Sequence, residues 1–441
     1  MISQLIKNEN LKKYNNVINK IKNKIENHNG NFKIITHYDT DGLCSGAILI
    51  KLLKHLDKKY QITILDQLTK ETLDKEIIKN NNDNTLYIFS DMGSGQIEQI
   101  IENNLNCIIL DHHPVAIKNT EINNILQLNP HIFNINGGKE ICGSGVCYLI
   151  AREFILYDLS ILAIVGAIGD MQHLPFIGFN QFILNEGIST NNIQIVKDII
   201  YNCYDDLSIV DSILFTYSPF IKKLSKKETV INLLNKYGID TNKKYLDGED
   251  KIKLEKALKE VGVNINEIYL DRYIINHIIP DGHYLSEILN SCGKSKNFEI
   301  GINIALGSKE DVVKGKEINY KYKLNIINTI KNIKIIKKNN FNYFIINESG
   351  MAGIIAGLLA TNSNKPVFGI SKTENNYKIS SRGNHKLVNE GLNLTEVMKL
   401  TEMFGGSGGG HAVASGGIIP IESLGEFLDW ADDLIEDQLK N

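Results

Sequence analysis

The sequence predicts an α/β protein: a parallel-sheet domain first, a helical stretch in the middle, and a smaller α/β domain at the end. Three observations carry this. Short apolar runs of strand length recur at Phe32–Ile35, Leu86–Phe89 and Cys107–Leu110. Between them lie stretches whose apolar residues fall at three- and four-residue spacing, the period of a helix against a core. A second group of short apolar runs begins near residue 341, after a long Lys/Asn-rich interval. Strands alternating with helices argue a parallel sheet covered on both faces.

Taken in order, residues 1–30 read as an amphipathic helix closing at His28-Asn29-Gly30. The strand at Phe32–Ile35 runs into Thr36-His37-Tyr38-Asp39-Thr40-Asp41-Gly42, and a helix is expected from about Ser45 to Leu56. The next two strands run into Ser90-Asp91 and Asp111-His112-His113. Gly143 to Asp170 reads as two apolar helices, the second ending at Asp170. From about 186 to 315 the pattern is helical. Strands are expected to resume near Tyr320, then at Phe341–Ile346, Val367–Ile370 and Tyr377–Ser381. Gly350–Gly357 reads as a small-residue helix packed closely on a neighbour. The glycine-rich stretch 405–417 contains His411 and leads into Ile418-Ile419, so it is expected to be an ordered loop rather than a linker. The expected domains are 1–185, a helical connector 186–317, and 318–441.

Composition excludes several classes. With 48 Lys plus Arg against 51 Asp plus Glu, the formal charge is −3. That excludes a histone-like basic binder but leaves room for a nucleic-acid site confined to one region. Arginine occurs only at 152, 272 and 382, so any bidentate fork must come from one of these. Six scattered cysteines (44, 107, 142, 147, 203 and 292), with no C-x-x-C pair and no signal-like start, suit a reduced cytoplasmic protein. The longest apolar run, Ile161 to Gly169, is about half of a membrane span. No membrane association is expected.

The chemistry concentrates at strand ends, where ligands of parallel sheets bind. His37, Asp39 and Asp41 alternate, which in an extended segment puts them on one face. They make half of a metal site, and Asp91, His112 and Asp170 can supply the other half. Carboxylates and imidazoles without thiolate suit Mn²⁺ or Mg²⁺ better than structural zinc. Two such ions about 3.5–4 Å apart clamp a phosphoryl group. Asp-Thr-Asp-Gly alone also fits a turn or a fragment of a calcium loop, but four such loops at four element ends favour the metal site. Glycines 408–410 would let backbone N–H groups approach an anion, with His411 and Arg382 adding charge. His131, His173, His277 and His283 read as surface or core histidines, Cys142 and Cys147 as buried apolar residues, and Trp430 as core. The Lys/Asn stretch 329–340 reads as a solvated face.

In order and spacing, Thr36–Gly42, Ser90-Asp91, Asp111-His112-His113 and Gly169-Asp170 resemble the four signature motifs of the DHH phosphoesterase superfamily. Gly405–Gly417 resembles the signature loop of the DHHA1 domain that accompanies it. Leu289–Lys294 resembles the Asn-Ala-x-Gly-Arg segment of RecJ-type single-strand exonucleases, with Ser291 for the Ala and Lys294 for the Arg. Length and middle segment resemble archaeal RecJ-like proteins, including those associated with the replisome's GINS complex. The resemblance implies a cleft between a DHH domain and a DHHA1 domain. It implies two divalent ions, with Mn²⁺ favoured over Mg²⁺: His37 and Asp39 on one, Asp41, His112 and Asp170 on the other, and Asp91 bridging. Asp111 and His113 would be catalytic, Asp111 orienting its neighbours and His113 contacting the scissile phosphate. Asn290, Lys294, Arg382, Gly408, Gly409, Gly410 and His411 would bind substrate. The implied activity is hydrolysis of single-stranded DNA or RNA from an end by two-metal water activation. Two alternatives stand beside it: a phosphodiesterase for short RNA, cyclic dinucleotides or other small nucleotides, and a replisome scaffold with weak or no activity.

Overall fold

The computed structural model describes residues 5–77, 84–200, 207–216, 224, 226–347, 350–361 and 363–440. Cys203 lies outside them. The chain divides into two compact units, one of 1–198 with 270–322 and one of 199–269 with 323–441.

The first unit is built on a six-stranded sheet in the order β2-β1-β3-β4-β6-β5. Its strands are β1 (Asn31–His37), β2 (Tyr60–Leu65), β3 (Thr85–Ser90), β4 (Cys107–Leu110), β5 (Glu121–Ile122) and β6 (Ile125–Leu128). All pairs are parallel except the short β5–β6 edge. The central strands are buried on both faces, which is why they read as unbroken apolar runs. Helix α1 (Asn8–Asn27) buries Tyr14, Val17, Ile18, Ile21 and Ile25, a stripe at helical spacing. Helix α2 (Thr40–His55) is buried along most of its length, as are α3 (Gly143–Ala151) and α4 (Ser160–Gly169). Helix α5 (Gly178–Ser189) follows.

The register of the sheet places the motif loops. Thr36 pairs with Ser90, Ser90 with Leu110, and Leu110 with Leu128. The next residue on each strand is therefore His37, Asp91, Asp111 or Asn129, one row along the carboxyl edge. The chain reverses direction across the sheet between β1 and β3, because β1 has β2 on one side and β3 on the other. That is the crevice where parallel sheets bind ligands.

The middle of the chain is not helical throughout. Strands β7 (Ile193–Ile199) and β8 (Tyr269–Ile275) pair as a two-stranded sheet. Between them α6 (Ile209–Phe215), α7 (Lys227–Lys236) and α8 (Gly248–Glu260) share a core of their own around Val230, Leu234, Leu254 and Leu258. After β8 come α9 (Gly282–Lys294), α10 (Phe298–Ala305) and α11 (Lys309–Asn332). Strands therefore do not resume at Tyr320. Helix α11 continues through it, with Ile326 and Ile327 on its buried side. The solvated stretch expected at 329–340 divides between the end of that helix and a short strand.

The second sheet has the order β13-β14-β12-β11-β10-β9. Its strands are β9 (Ile336–Lys337), β10 (Asn342–Ile346), β11 (Val367–Lys372), β12 (Asn376–Arg382), β13 (Ser407–His411) and β14 (Ala414–Pro420). Only β10–β11 is parallel. Phe341 stacks on Phe368 with ring centres 4.3 Å apart, at the centre of the core. Helix α12 (Ala352–Ala360) lies close to its sheet at its glycines: a Cβ at Gly353 would sit 2.9 Å from Arg382 Nη2. The last helix, α13 (Leu424–Lys440), buries Leu424, Phe427, Leu428, Ala431 and Ile435. Trp430 falls beside that stripe. It is 43% exposed and touches Phe404 edge-on, so it is not a core residue.

The glycine-rich stretch is also not a loop. It forms the antiparallel β13–β14 hairpin, turning at Ala412-Val413, with Gly408 opposite Gly417 and Gly409 opposite Gly416. Glycine pairs give no alternation of apolar and polar residues, so the strand period is silent there.

Candidate metal and phosphate site

His37, Asp39, Asp41, Asp91, His112 and Asp170 come together at the carboxyl edge of the first sheet. His37 ends β1. Asp39 is the N-cap of α2, its Oδ1 accepting from Gly42 N at 3.0 Å, and Asp41 sits in that helix's first turn. Asp91 follows β3, His112 follows β4, and Asp170 caps the end of α4. Two groups of donor atoms share one carboxylate region: His37 with Asp39 and Asp91, and Asp41 with His112 and Asp170. Asp91 also groups with His112 and His113. His37 Nδ1 is 3.0 Å from Asp39 Oδ2 and 3.7 Å from Asp91 Oδ2. His112 Nε2 is 3.2 Å from Asp91 Oδ1 and 3.8 Å from both Asp41 Oδ2 and Asp170 Oδ2. Asp91 thus turns one oxygen to each histidine.

Its neighbours hold each donor in place. His112 Nδ1 lies 2.7 Å from Gly137 O, which assigns the hydrogen to Nδ1 and turns the Nε2 lone pair toward the carboxylates. Gln172 donates to Asp170 Oδ2 at 2.7 Å and to Gly137 O at 2.9 Å, and accepts from Asn180 at 2.7 Å. Asp41 Oδ2 and Oδ1 accept from the N–H groups of Gly143 and Ser144 at 2.6 and 2.9 Å, at the start of α3, where the helix dipole favours an anion. That approach needs glycine. A Cβ at Gly143 would lie 2.8 Å from Asp91 Oδ1, and one at Gly166 would lie 2.0 Å from Ser144 Oγ and 2.5 Å from Asp41 Oδ1. Asp91 has φ of 56°, a left-handed conformation rare for a residue with a side chain.

Asp111 stands apart. Its Oδ2 accepts from Ser94 N at 2.9 Å, and its Oδ1 accepts from His112 N, His113 N and His113 Nδ1 at 2.8, 3.2 and 2.9 Å. With its lone pairs so occupied, it organises the two histidines. His113 is 54% exposed at its side chain, with its Nε2 edge left for another group. Partial burial favours its neutral ring, but the hydrogen bond to Asp111 outweighs this and raises its pKa to about 9.

The charge balance indicates what the cluster accommodates. Burial, then the Asp91 and Asp170 carboxylates, push Asp41 up to about 7. Burial also pushes Asp170 up to about 6, against the pull of His112. Burial opposes the charged form of His37, yet Asp39 and Asp91 raise it to about 11. His112 rises for the same reason, with Asp170 and Asp91 overcoming burial. Asp91 Oδ1 is buried with no hydrogen-bond donor assigned to it, although His112 Nε2 lies 3.2 Å away. With the Nδ1 hydrogen given to Gly137, two lone pairs face each other there, and only a proton or a cation can sit between them. Four carboxylates and two imidazoles with no thiolate fit hard divalent cations of the Mn²⁺ or Mg²⁺ kind.

The remaining predicted residues lie elsewhere. Asn290 is half-buried on α9, and Lys294 ends that helix, its Nζ donating to Tyr38 Oη at 2.7 Å. Arg382, Gly408, Gly409, Gly410 and His411 belong to the second unit. Arg382 ends β12 and donates to Ser381 O at 2.9 Å. Burial lowers its pKa, and among the described residues no carboxylate pairs with it. Gly408–His411 form the edge strand β13, with His411 exposed. Sequence reasoning passes over Gly137, Gly143, Ser144, Gly166 and Gln172, which pack on or hydrogen-bond the candidate ligands or their partners, and Asn129, whose amide donates to His113 O at 2.9 Å. Only Gly166 and Gln172 carry a signal, lying within three positions of the Gly169-Asp170 motif.

Residues 31–166 match the DHH family N-terminal domain and residues 340–437 the DHHA1 domain. A protein of Methanocaldococcus jannaschii, named uncharacterized protein MJ0831, is 47% identical over 433 residues, covering 98% of this chain and 99% of that one. The chain belongs to the DHH family and pairs its N-terminal domain with a DHHA1 domain. Among solved structures, CDC45 from Entamoeba histolytica has a TM-score of 0.67 at 13% identity, covering 96% of this chain and 99% of that one. RecJ from Thermus thermophilus in complex with Mn²⁺ has a TM-score of 0.61 at 16% identity, covering 96% of this chain and 55% of that one. An exonuclease RecJ bound to manganese has a TM-score of 0.58 at 16% identity, covering 95% of this chain and 94% of that one. These likenesses are of fold.

Proposed function

We propose that the protein is a metal-dependent phosphodiesterase that shortens single-stranded DNA or RNA from an end. The observation that carries this is the pair of donor groups meeting at Asp91. His37, Asp39 and Asp91 would hold one divalent ion, and Asp41, His112 and Asp170 a second, with Asp91 Oδ1 3.2 Å from His112 Nε2. Ions bound there supply positive charge against a phosphate and acidify water at the site. The chain's own residues do the rest. Asp111 fixes His113 with its free ring edge outward, so that an imidazolium meets the phosphate oxygens. The α3 N–H groups hold Asp41 in place, and Gln172 holds Asp170. In the second unit, Arg382 without a carboxylate partner among the described residues and the glycine edge of β13 suit a phosphate chain, whose oxygens accept from a guanidinium and from backbone N–H groups.

The test is digestion of end-labelled DNA and RNA strands of graded length with Mn²⁺, beside Asp91→Ala. Loss in the variant with trimming from one end is the expected result, and equal digestion by both proteins defeats the reading. The same lengths compare dinucleotides with 20-mers and so decide whether small nucleotides are the main substrate. A second reading, a replication scaffold, is favoured by the likeness in fold and length to CDC45. The complete donor set argues against it, and wild-type protein inert on every strand would favour it. GINS proteins are the partners proposed under either reading, and a pull-down with them checks that point separately.

A further inference from the structure

Tyr38 sits between His37 and Asp39 in the first motif, and the metal cluster leaves it no role. Its ring lies against His37, with ring centres 4.5 Å apart, and tilts toward Phe298 at 6.3 Å. Its carbonyl is tightly backed: a Cβ at Gly293 would come within 2.0 Å of Tyr38 O. Side chain and backbone are therefore both fixed by the end of α9. Lys294, 256 residues away in sequence, donates from Nζ to Tyr38 Oη at 2.7 Å and also lies 4.7 Å from the ring centre. Among the described residues, no carboxylate lies within ion-pair distance of this ammonium. Asp39 nonetheless feels its charge: burial opposes ionisation there, but His37 chiefly, with Lys294 adding to it, holds Asp39 well below the usual carboxylate range.

The bond direction matters. Lys294 can only donate, so Tyr38 Oη accepts, and the hydroxyl's own hydrogen remains free. The pair then offers two adjacent donors, one neutral and one charged, beside the Asp39 side of the metal cluster. Two converging donors with net positive charge suit the non-bridging oxygens of a phosphodiester, because hydrogen bonds to a charged acceptor are the stronger ones.

We propose that the Tyr38 hydroxyl, set by Lys294, is a substrate-binding donor for a phosphate of the chain next to the one being cut. This rests on the phosphodiesterase reading and adds Tyr38 to it. Lys294 positions the hydroxyl through the 2.7 Å bond to Oη and supplies charge.

The experiment compares wild type, Tyr38→Phe, Lys294→Met and the double variant on a labelled single-stranded 12-mer. It measures kcat and KM with Mn²⁺, and equilibrium binding of the same strand with Ca²⁺ in place of Mn²⁺. Tyr38→Phe keeps the ring, so the fold and the Mn²⁺-induced rise in Tm should stay as in wild type. The expected result is a rise of about tenfold in KM and in the binding constant for Tyr38→Phe, the loss of one hydrogen bond to a charged group. Lys294→Met should lose at least as much, and the double variant should lose less than the product of the two. A kcat little changed beside a raised KM marks binding, whereas a purely structural contact would lower Tm and leave KM alone. Unchanged KM and binding in Tyr38→Phe overturn the inference while leaving the phosphodiesterase reading intact. A wild type that binds the strand but does not cut it defeats only the phosphodiesterase reading, and the binding arm then decides on Tyr38. A wild type that neither cuts nor binds defeats both.

Discussion

Around Asp41, single atoms decide what the chain tolerates. Its two carboxylate oxygens are met by successive N–H groups of Gly143 and Ser144, and Gly166 passes close behind. Gly166→Ala would place a Cβ 2.0 Å from Ser144 Oγ. The expected cost is about 1–3 kcal/mol, as for overpacking in a tight core. Urea unfolding measures it, and a midpoint equal to wild type would show that α4 can move aside. Gln172 is the matching case among hydrogen bonds. It steers Asp170 and also shares Gly137 O with His112. Gln172→Ala should weaken Mn²⁺ binding about 10–100-fold, the usual effect of removing a group that orients ligands. Titrating the Mn²⁺ needed for half of the full Tm rise reads this directly.

At the scale of elements, the turn after α4 carries a pH response separate from the metal cluster. His173 packs against Phe176 and against His283, whose ring centre lies 5.1 Å away. Burial, with His283 adding to it, pushes His173 down to about 3, and burial lowers His283 as well. Both rings therefore stay neutral in the folded chain at pH values where the unfolded chain has already taken up a proton. A depressed folded value makes the stabilisation complete above about pH 6.5 and removes it as pH falls toward about 3. For His173 alone this amounts to about 2.7 kcal/mol by pH 4.5, two pH units below the unfolded value. His173→Leu should flatten the fall in Tm between pH 6.5 and 4.5, and a slope equal to wild type would sink the argument. Elements are also where sequence and structure part. β13 and β14 read as a loop because five of their twelve residues are glycine, so few side chains alternate. Helix α11 hides behind Lys and Asn, which are neutral witnesses to period, and only its packing of Ile326 and Ile327 reveals the buried side.

For the whole molecule, the chain's two compact units give a thermodynamic prediction. All six proposed metal ligands lie in the unit of 1–198 with 270–322. Mn²⁺ at about 100 times its dissociation constant should stabilise that unit by about 2.7 kcal/mol. Calorimetry should show one transition that rises with Mn²⁺, falls back with EDTA and fails to rise in Asp91→Ala, and another that does not respond. A single transition moving as one would mean that the units unfold together. The described residues contain no helix long and apolar enough to cross a membrane.

The α/β class, the element ends and the six polar side chains at them were legible in the order of residues alone. The cause is chemical: an apolar run that stops at Asp or His is visible in one dimension, since buried strands rarely carry those residues and metal-binding edges need them. Folding in three dimensions was required to show that Asp91 turns one oxygen to His37 and the other to His112. The same holds for the need of Gly143 and Gly166 to lack a Cβ, and for the reach of Lys294 to Tyr38. Those facts depend on register and on approaches between residues distant in the chain. Sequence spacing carries no record of a distance between atoms that folding brings together.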